Sequence, residues 1–501
     1  MKRVLLLVID ALTAPLLLQE MDNGRYPHFQ MLRKAGVVRE QCLSVFPSIT
    51  HAALASIVTG KYPAEHGVVG SHWFDLEDEK IVYFSGSLGM MLQKGVGNFF
   101  HEFLLELNND YLQSPTIFQQ LERAGSKTAC INFPLYRGDV PHHVNMPLLL
   151  KWLPGLPAST TLMGPKILLL GDLLANSADL EIEATYTGVT NWFGFSDRNS
   201  SDLMQQLAAK DEFPAFTLAY FPDNDEISHR QGPVRAQQQL GHLDEMLERL
   251  FTLYGGLESF LEQFMVVITG DHSQSATVAD ANQEKIDLME ILSGAQLARA
   301  GQPWRDGDDI MPCPNLRSAQ LYFREMDTAW IESICQSLLN DERIDQLIYR
   351  AELFGEGGGY VVKTCNGRLR FWRAAEDEAM AADHYGNTWC WEGDLAVVDG
   401  RVQDQLITFP NYPNAFERLV GALDCDNSGH LWMTARIGHE FVVPGVSPFP
   451  GGGSHASLHR LDSEPPLFVA GAPENVPIPE HVRITDVFGL CQACLRAPEP
   501  A

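Results

Sequence analysis

Apolar strand-like runs recur along this chain at residues 4–9 (VLLLVI), around 43–46, and at 128–132, 216–221 and 264–269, with helical patterns between several of them. That alternation constrains the fold more than any other feature. It predicts a mostly parallel sheet covered by helices on both faces. With 501 residues and 45% hydrophobic content, the chain can bury a large α/β core that carries an insertion. The clearest helix starts near Pro233, where Leu240, Leu243, Met246, Leu247, Leu250, Phe251 and Tyr254 recur at three- and four-residue spacing and Gly255-Gly256 supplies a stop.

Between about residues 274 and 437 the character changes. GGGYVVKTCNGRLRFWR at 357–373 has Asn366-Gly367 between two strand-like arms, the mark of a hairpin, and Asp399-Gly400 offers a second turn. This stretch reads as an inserted α+β cap, residues 274–437, in a core made of 1–273 and 438–501. Core-like segments return with PLFVAG at 466–471 and a last helix after Thr485.

Five short signatures fall in or beside the core segments: Asp10 after the first apolar run, Thr50 in PSITHAALASIVTG, Asp225 and His229 in NDEISH, Asp271-His272 after the run MVVIT, and His455 in GGGSHASL. Asp10 would emerge at the carboxyl edge of a parallel sheet, where open α/β folds place their ligands; it would also serve as a helix cap. Thr50 lies in the first turn of a helix stopped by Gly60, near free amides and the positive dipole end that favour an alkoxide or a bound phosphate. Alternatively, Thr50 or Ser48 caps that helix. Asp225 and His229, four apart, point one way if the segment is helical. Asp223 sits at a six-residue spacing from His229 and reads as a surface or supporting acid. Asp271 and His272 can serve one site only from a turn past their strand, which Gly270 makes easy. His455 would arrive on a glycine-rich bend, whereas His459, His51, His384 and His142-His143 have no partner spacing. The set supplies three carboxylates, three imidazoles and a hydroxyl, enough for two divalent ions and a nucleophile.

Together these motifs resemble the type I phosphodiesterase and nucleotide pyrophosphatase family of the alkaline phosphatase superfamily. The run SIVTGKYPAEHGVVG at 56–70 carries the likeness furthest, with PDNDEISHRQGP, ITGDHS and GGSHASL following in family order. The resemblance implies an alkaline-phosphatase-like core and two metal ions, usually zinc, with manganese as the alternative. One ion would be held by Asp225, His229 and His455, the other by Asp10, Asp271, His272 and the oxygen of Thr50. It further implies that Thr50 attacks phosphorus to give a phospho-threonine, hydrolysed in a second step. Family members often carry Asn, whose amide contacts a phosphoryl oxygen, where this chain has Ser71; the shorter Ser71 or its neighbour His72 is expected to take that place.

The expected activity is therefore hydrolysis of phosphodiester or pyrophosphate bonds in a small molecule. The nearest rival is a phosphomonoesterase; monoesterases of the superfamily with a threonine nucleophile resemble one another in a Lys-x-Arg pair, and NFPLYRGDVPHH offers Arg137 without the Lys, which counts against that reading. A phosphonate hydrolase shares the same metals and threonine, and a metal-stabilised scaffold that binds a phosphorylated ligand is the non-catalytic alternative. The sulfatase signature C-x-P-S-R is absent. Lys61, Arg137 and Arg230 are the basic residues near motifs that are candidates for substrate contact. A formal net charge of −28 excludes a general field attracting a nucleic-acid polymer. Nine cysteines without framework spacing, among them a Cys491-x-x-Cys494 pair read as helix packing, fit a reducing compartment, and the cytoplasm is the expected location. The N-terminal MKRVLLLVIDALTAPLLL reads as a buried strand rather than a signal peptide, because Asp10 interrupts it. No other uninterrupted apolar run is long enough to span a membrane.

Overall fold

The computed structural model describes residues 2–496 apart from 85–97, 99–100, 146–158, 175, 178–181, 187, 189–192, 300 and 376. A seven-stranded sheet runs in the order Gly36–Arg39, Leu467–Ala470, Phe264–Thr269, Arg3–Ile9, Phe216–Phe221, Thr128–Ile131 and Ile167–Leu169. The last five strands are mutually parallel. Leu467–Ala470 pairs antiparallel with both of its neighbours. The apolar run around residues 43–46 contributes only the two-residue strand Cys42–Leu43, which pairs outside this sheet.

The central strand shows why its sequence is apolar on both faces. Val4, Leu6 and Val8 pack into one hydrophobic cluster and Leu5, Leu7 and Ile9 into another. Each such side chain taken from water contributes roughly 1.5–3 kcal/mol. The first cluster holds residues of helices Thr50–Thr59, Ile117–Arg123 and Ile484–Arg496, the second those of Ala14–Asp22, Pro27–Ala35, Asp197–Ala209 and Gly241–Leu253. The two-faced helical cover expected from the sequence is present.

The helix expected to start near Pro233 is two helices, Pro233–Gln237 and Gly241–Leu253. The apolar spacing is right, but its residues begin at Leu240, which is the position before the second helix, and residues 238–240 form a turn after the first.

A ten-stranded sheet spans residues 310–435, inside the segment read as an insertion, with Ile310–Asn315 at one edge and Arg401–Gln403 at the other. Tyr360–Lys363 and Arg368–Arg373 form the hairpin expected around Asn366-Gly367. The second turn falls elsewhere: Arg401–Gln403 pairs with Leu406–Thr408, so Asp404 and Gln405 turn the chain, both with positive φ. Asp399 instead ends the short 3-10 helix Leu395–Val398. Buried residues of this sheet, including Leu321, Leu347 and Trp432, belong to the same apolar cluster as Val4, Leu6 and Val8.

Candidate active site

Strand register brings the motifs to one edge. Ile9 pairs with Phe221 and Val8 with Thr269, so the three strands end level. Asp10 follows the first directly and its backbone N–H donates to Phe221 O at 3.0 Å. Helix Asp223–Gln231 starts just past the second and carries Asp225 and His229 on one side, with His229 Nε2 3.3 Å from Asp225 Oδ2. Asp271 and His272 lie in the turn past the third, both fully buried. Gly270 allows this turn through close packing: a Cβ there would stand 2.9 Å from Pro465 Cβ and 3.0 Å from His272 O.

Helix Thr50–Thr59 has Ile49 at its N-cap and no side-chain cap. Ser48 donates to Ser457 O at 2.8 Å instead, so neither hydroxyl caps the helix. Thr50 Oγ1 lies 3.3 Å from His272 Nε2. His455 comes in on a bend whose glycines are sterically required, since a Cβ at Gly452 would meet His229 O at 1.8 Å.

Each imidazole of the set is oriented by the backbone. His229 Nδ1 lies 2.8 Å from Gly453 O, His455 Nδ1 2.9 Å from Ser48 O, and His272 Nδ1 3.1 Å from Ser273 O. A carbonyl only accepts, so Nδ1 carries the proton and Nε2 keeps its lone pair for a metal or a proton. His272 Nε2 stands 3.3 Å from Asp10 Oδ1 and 3.5 Å from Asp271 Oδ2; His455 Nε2 stands 3.7 Å from Asp225 Oδ1. Two groups thus have ligand atoms within 4.8 Å of one another, Asp225 with His229 and His455, and Asp10 with Asp225 and His272. Asp225 belongs to both. The rings of His272 and His455 stack at 3.7 Å.

The electrostatics calls for cations. Burial, then the charges of Asp271 and Asp225, push the Asp10 carboxyl well above its ordinary range. Burial raises Asp271 as well, against the pull of His272. Burial also acts on Asp225, but the attraction of His229, with His455 and His272, outweighs it and holds that carboxyl low. His229 is desolvated yet drawn up to about 8 by Asp225. Asp10 Oδ1 and Asp271 Oδ2 are buried and accept no hydrogen bond from the described residues. Buried anionic oxygens without donors, beside imidazole lone pairs, are the donor set a divalent ion satisfies, and these residues fit one.

Several supporting residues escaped the sequence reading. Tyr220 donates its hydroxyl to Asp10 Oδ2, and Gln274 its amide to Asp225 Oδ1. Asn224 Nδ2 donates to Asp10 O at 2.7 Å. Tyr220 offered one cue, a hydroxyl near the end of an apolar strand. His51, with no partner spacing, has Nδ1 2.8 Å from Ser71 Oγ, and burial pushes it down to about 3. Asp223 turns away to Asp197, exchanging backbone-to-carboxylate bonds of 2.9 and 3.2 Å.

The expected substrate contacts are placed differently. Ser71 sits against His51, while Asn315 Oδ1 accepts the N–H groups of both Ser71 and His72 at 2.9 Å. His72 is buried, with Nδ1 3.2 Å from Pro314 O. Arg137 spends its guanidinium on the carbonyls of Asn108, Leu112 and Ser114. Lys61, in the connection after helix Thr50–Thr59, pairs with Glu65, and Arg230 pairs with Glu226 along its own helix, each at 2.6 Å. Among the described residues none of these three cations bonds to the acid and histidine cluster.

The family model described as type I phosphodiesterase / nucleotide pyrophosphatase matches residues 4–332. Over 78 residues the chain is 36% identical to bovine (Bos taurus) bis(5'-adenosyl)-triphosphatase ENPP4, which is 16% of either chain. The fold is similar to that of murine ectonucleotide pyrophosphatase / phosphodiesterase 5, with a TM-score of 0.59 at 13% identity, covering 100% of this chain and 96% of that one. It is also similar to phosphonoacetate hydrolase from Sinorhizobium meliloti 1021 in complex with phosphonoformate, with a TM-score of 0.58 at 17% identity, covering 99% and 96%.

Proposed function

The chain belongs to the type I phosphodiesterase / nucleotide pyrophosphatase family, and on that premise we propose that it hydrolyses phosphodiester or pyrophosphate bonds of a small molecule with Thr50 as nucleophile. The observation that carries this reading is the convergence of three imidazole Nε2 lone pairs with buried carboxylate oxygens, two of them without donors among the described residues, and the Thr50 hydroxyl 3.3 Å from one of those imidazoles, His272. Two divalent ions, zinc or else manganese, would be held by Asp225, His229 and His455 and by Asp10, Asp271, His272 and Thr50, and would supply Lewis-acid stabilisation of the attacking and leaving oxygens. The chain's own part is positioning. As the Thr50 oxygen bonds to phosphorus the bond to the ester oxygen breaks, the Thr50 proton being lost to solvent and the departing oxygen regaining one; water then cleaves the phospho-threonine P–O bond, releasing the phosphate and restoring the hydroxyl. The first-turn amides of the Thr50 helix, which no carbonyl of that helix can satisfy, face the same region and favour phosphoryl oxygens.

Arg137 supports a diester over a monoester, because a guanidinium committed to three carbonyls is withdrawn from the extra phosphate charge. The likeness to a phosphonoacetate hydrolase keeps a phosphonate as the second reading. The name of the bovine relative puts dinucleoside polyphosphates among the first diesters to screen. Nine unpaired cysteines support the cytoplasm as location.

The test is kcat/KM of zinc-loaded protein on bis-p-nitrophenyl phosphate, p-nitrophenyl phosphate and phosphonoacetate, with Thr50→Ala as the blank. A diester preference of at least about tenfold, or 1.4 kcal/mol in the barrier, is expected. Preference for either of the other two moves the chain to that branch. His229→Ala is expected to remove about one zinc per chain by elemental analysis, since it deletes one of three nitrogen and oxygen ligands. An unchanged count would rule out this ligand set.

A further inference from the structure

Beside the His229 end of the site lies a pair of acids that the mechanism does not use. Glu284 ends the short helix Ala281–Glu284, and Glu440 starts the strand Glu440–Val442. Parallel pairing of Lys285–Asp287 with Glu440–Val442, in register Lys285 with Glu440, brings the two glutamates side by side. Both are buried, at 0% and 1% exposure. Phe449 N–H donates to Glu284 Oε1 at 3.2 Å and to Glu440 Oε2 at 3.0 Å. The other oxygens, Glu284 Oε2 and Glu440 Oε1, are buried without a hydrogen-bond partner among the described residues; the polar neighbours of the two carboxyl groups are the hydroxyls of Thr277 and Ser454, and the carboxyl groups are within hydrogen-bonding reach of each other. Among the described residues no lysine or arginine pairs with either. Lys285 turns to Asp287, Arg343 to Asp341, and His439 to Gln283 O. Among the described residues the titratable group outside the pair that acts on Glu440 is His229, whose attraction is outweighed by burial. Two adjacent buried carboxylates with no counter-ion cannot both stay ionised; a proton on one lets it donate to the other.

That pair grips the backbone of Phe449, and the Phe449 ring stacks on His229 at 4.3 Å and 28°. Thr277 Oγ1 holds the same residue from its carbonyl side at 2.5 Å. Resting on the metal-site reading above, we propose that Glu284 and Glu440 share a single proton and act, through Phe449, as positioning residues for His229. Neither touches the reacting atoms. The carboxyl pair sets where Phe449 sits, and Phe449 sets the plane of the imidazole.

The sign of the pH effect follows. Burial, then Glu440, raises Glu284 from 4.5 to about 8. Folded-state stability from the held proton is full below about 4.5 and is lost as pH rises through about 8. Glu284→Gln replaces the shared proton with an amide N–H and is expected to abolish that loss, so its melting temperature gains on wild type across this window.

The experiment combines zinc titration of the full chain against a chelator with infrared spectroscopy at about neutral pH. Glu284→Ala and Phe449→Ala are each expected to weaken zinc binding about tenfold, the double variant no further, and Glu284→Gln hardly at all. The infrared spectrum of Glu284→Gln should lack a protonated-carboxyl band that wild type has. Losses that add in the double variant overturn the route through Phe449. An infrared band retained in Glu284→Gln overturns the shared proton, and it does so even if Glu284→Ala fails to fold. Wild-type protein that binds no zinc defeats the metal reading instead, and the infrared result still decides the proton.

Discussion

Thr50→Ala is expected to lose roughly a thousandfold or more in kcat on a diester while keeping its full metal content and its melting temperature. The size follows from the nature of the step, because an alanine offers no oxygen to bond to phosphorus and residual turnover must come from water. The unchanged stability follows from the structure. Thr50 is the first residue of its helix, but Ile49 occupies the cap position and no side chain caps it. Removing the hydroxyl therefore leaves no amide orphaned that was paired before. Its one bond in the site is to His272 Nε2, which Asp10 and Asp271 also face. Elemental analysis beside steady-state kinetics checks both halves. Full activity in the variant would remove Thr50 from the chemistry, and lost metal would mean that Asp10, Asp271 and His272 do not hold the ion without the Thr50 oxygen.

Arg317→Ala is expected to cost about 3–5 kcal/mol of folding stability, the magnitude for stripping one partner from a buried ion pair. Arg317 lies between two strands of the ten-stranded sheet and is 1% exposed; Asp462 is fully buried. Nη1 of the guanidinium bonds both carboxylate oxygens at 2.6 Å, and Nη2 donates to Ala435 O at 3.1 Å. Asp462 in turn accepts from Ser275 Oγ, Ser457 N and Ser457 Oγ. Without the arginine that carboxylate remains buried with three neutral donors and no cation. Arg317 N–H also donates to His455 O at 3.1 Å, so the same junction steadies the histidine bend. Equilibrium urea unfolding reads the loss, and a change under about 1 kcal/mol would mean that water or a relaxed backbone takes over the charge.

Readability from sequence divided along a physical line. Strands 216–221 and 264–269 fell where their apolar runs placed them, because a strand buried on both faces announces itself in its own residues. The seven proposed site residues converge because Asp10, Asp271 and His272 follow strand ends, Thr50 starts a helix, Asp225 and His229 share one side of a helix just past a strand, and His455 rides a glycine bend, all local signals. Arg317, Asp462, Glu284 and Glu440 had no such mark. Arg317 and Asp462 stand 145 positions apart, so only the fold makes them partners. The errors were local in a different sense: Asp399-Gly400 has the composition of a hairpin turn, yet pairing of Arg401–Gln403 with Leu406–Thr408 moves the turn to Asp404 and Gln405. Lys61, Arg137 and Arg230 were singled out for lying near motifs, and nearness in sequence says nothing about which acid or carbonyl a long cation will find.

The three imidazoles of the site hand their Nδ1 protons to main-chain carbonyls of Gly453, Ser48 and Ser273. A carbonyl survives any substitution of the residue that bears it. The tautomer that leaves each Nε2 lone pair free is thus inherited with the backbone, insulated from drift at the supporting positions, and the surrounding side chains can change without altering it.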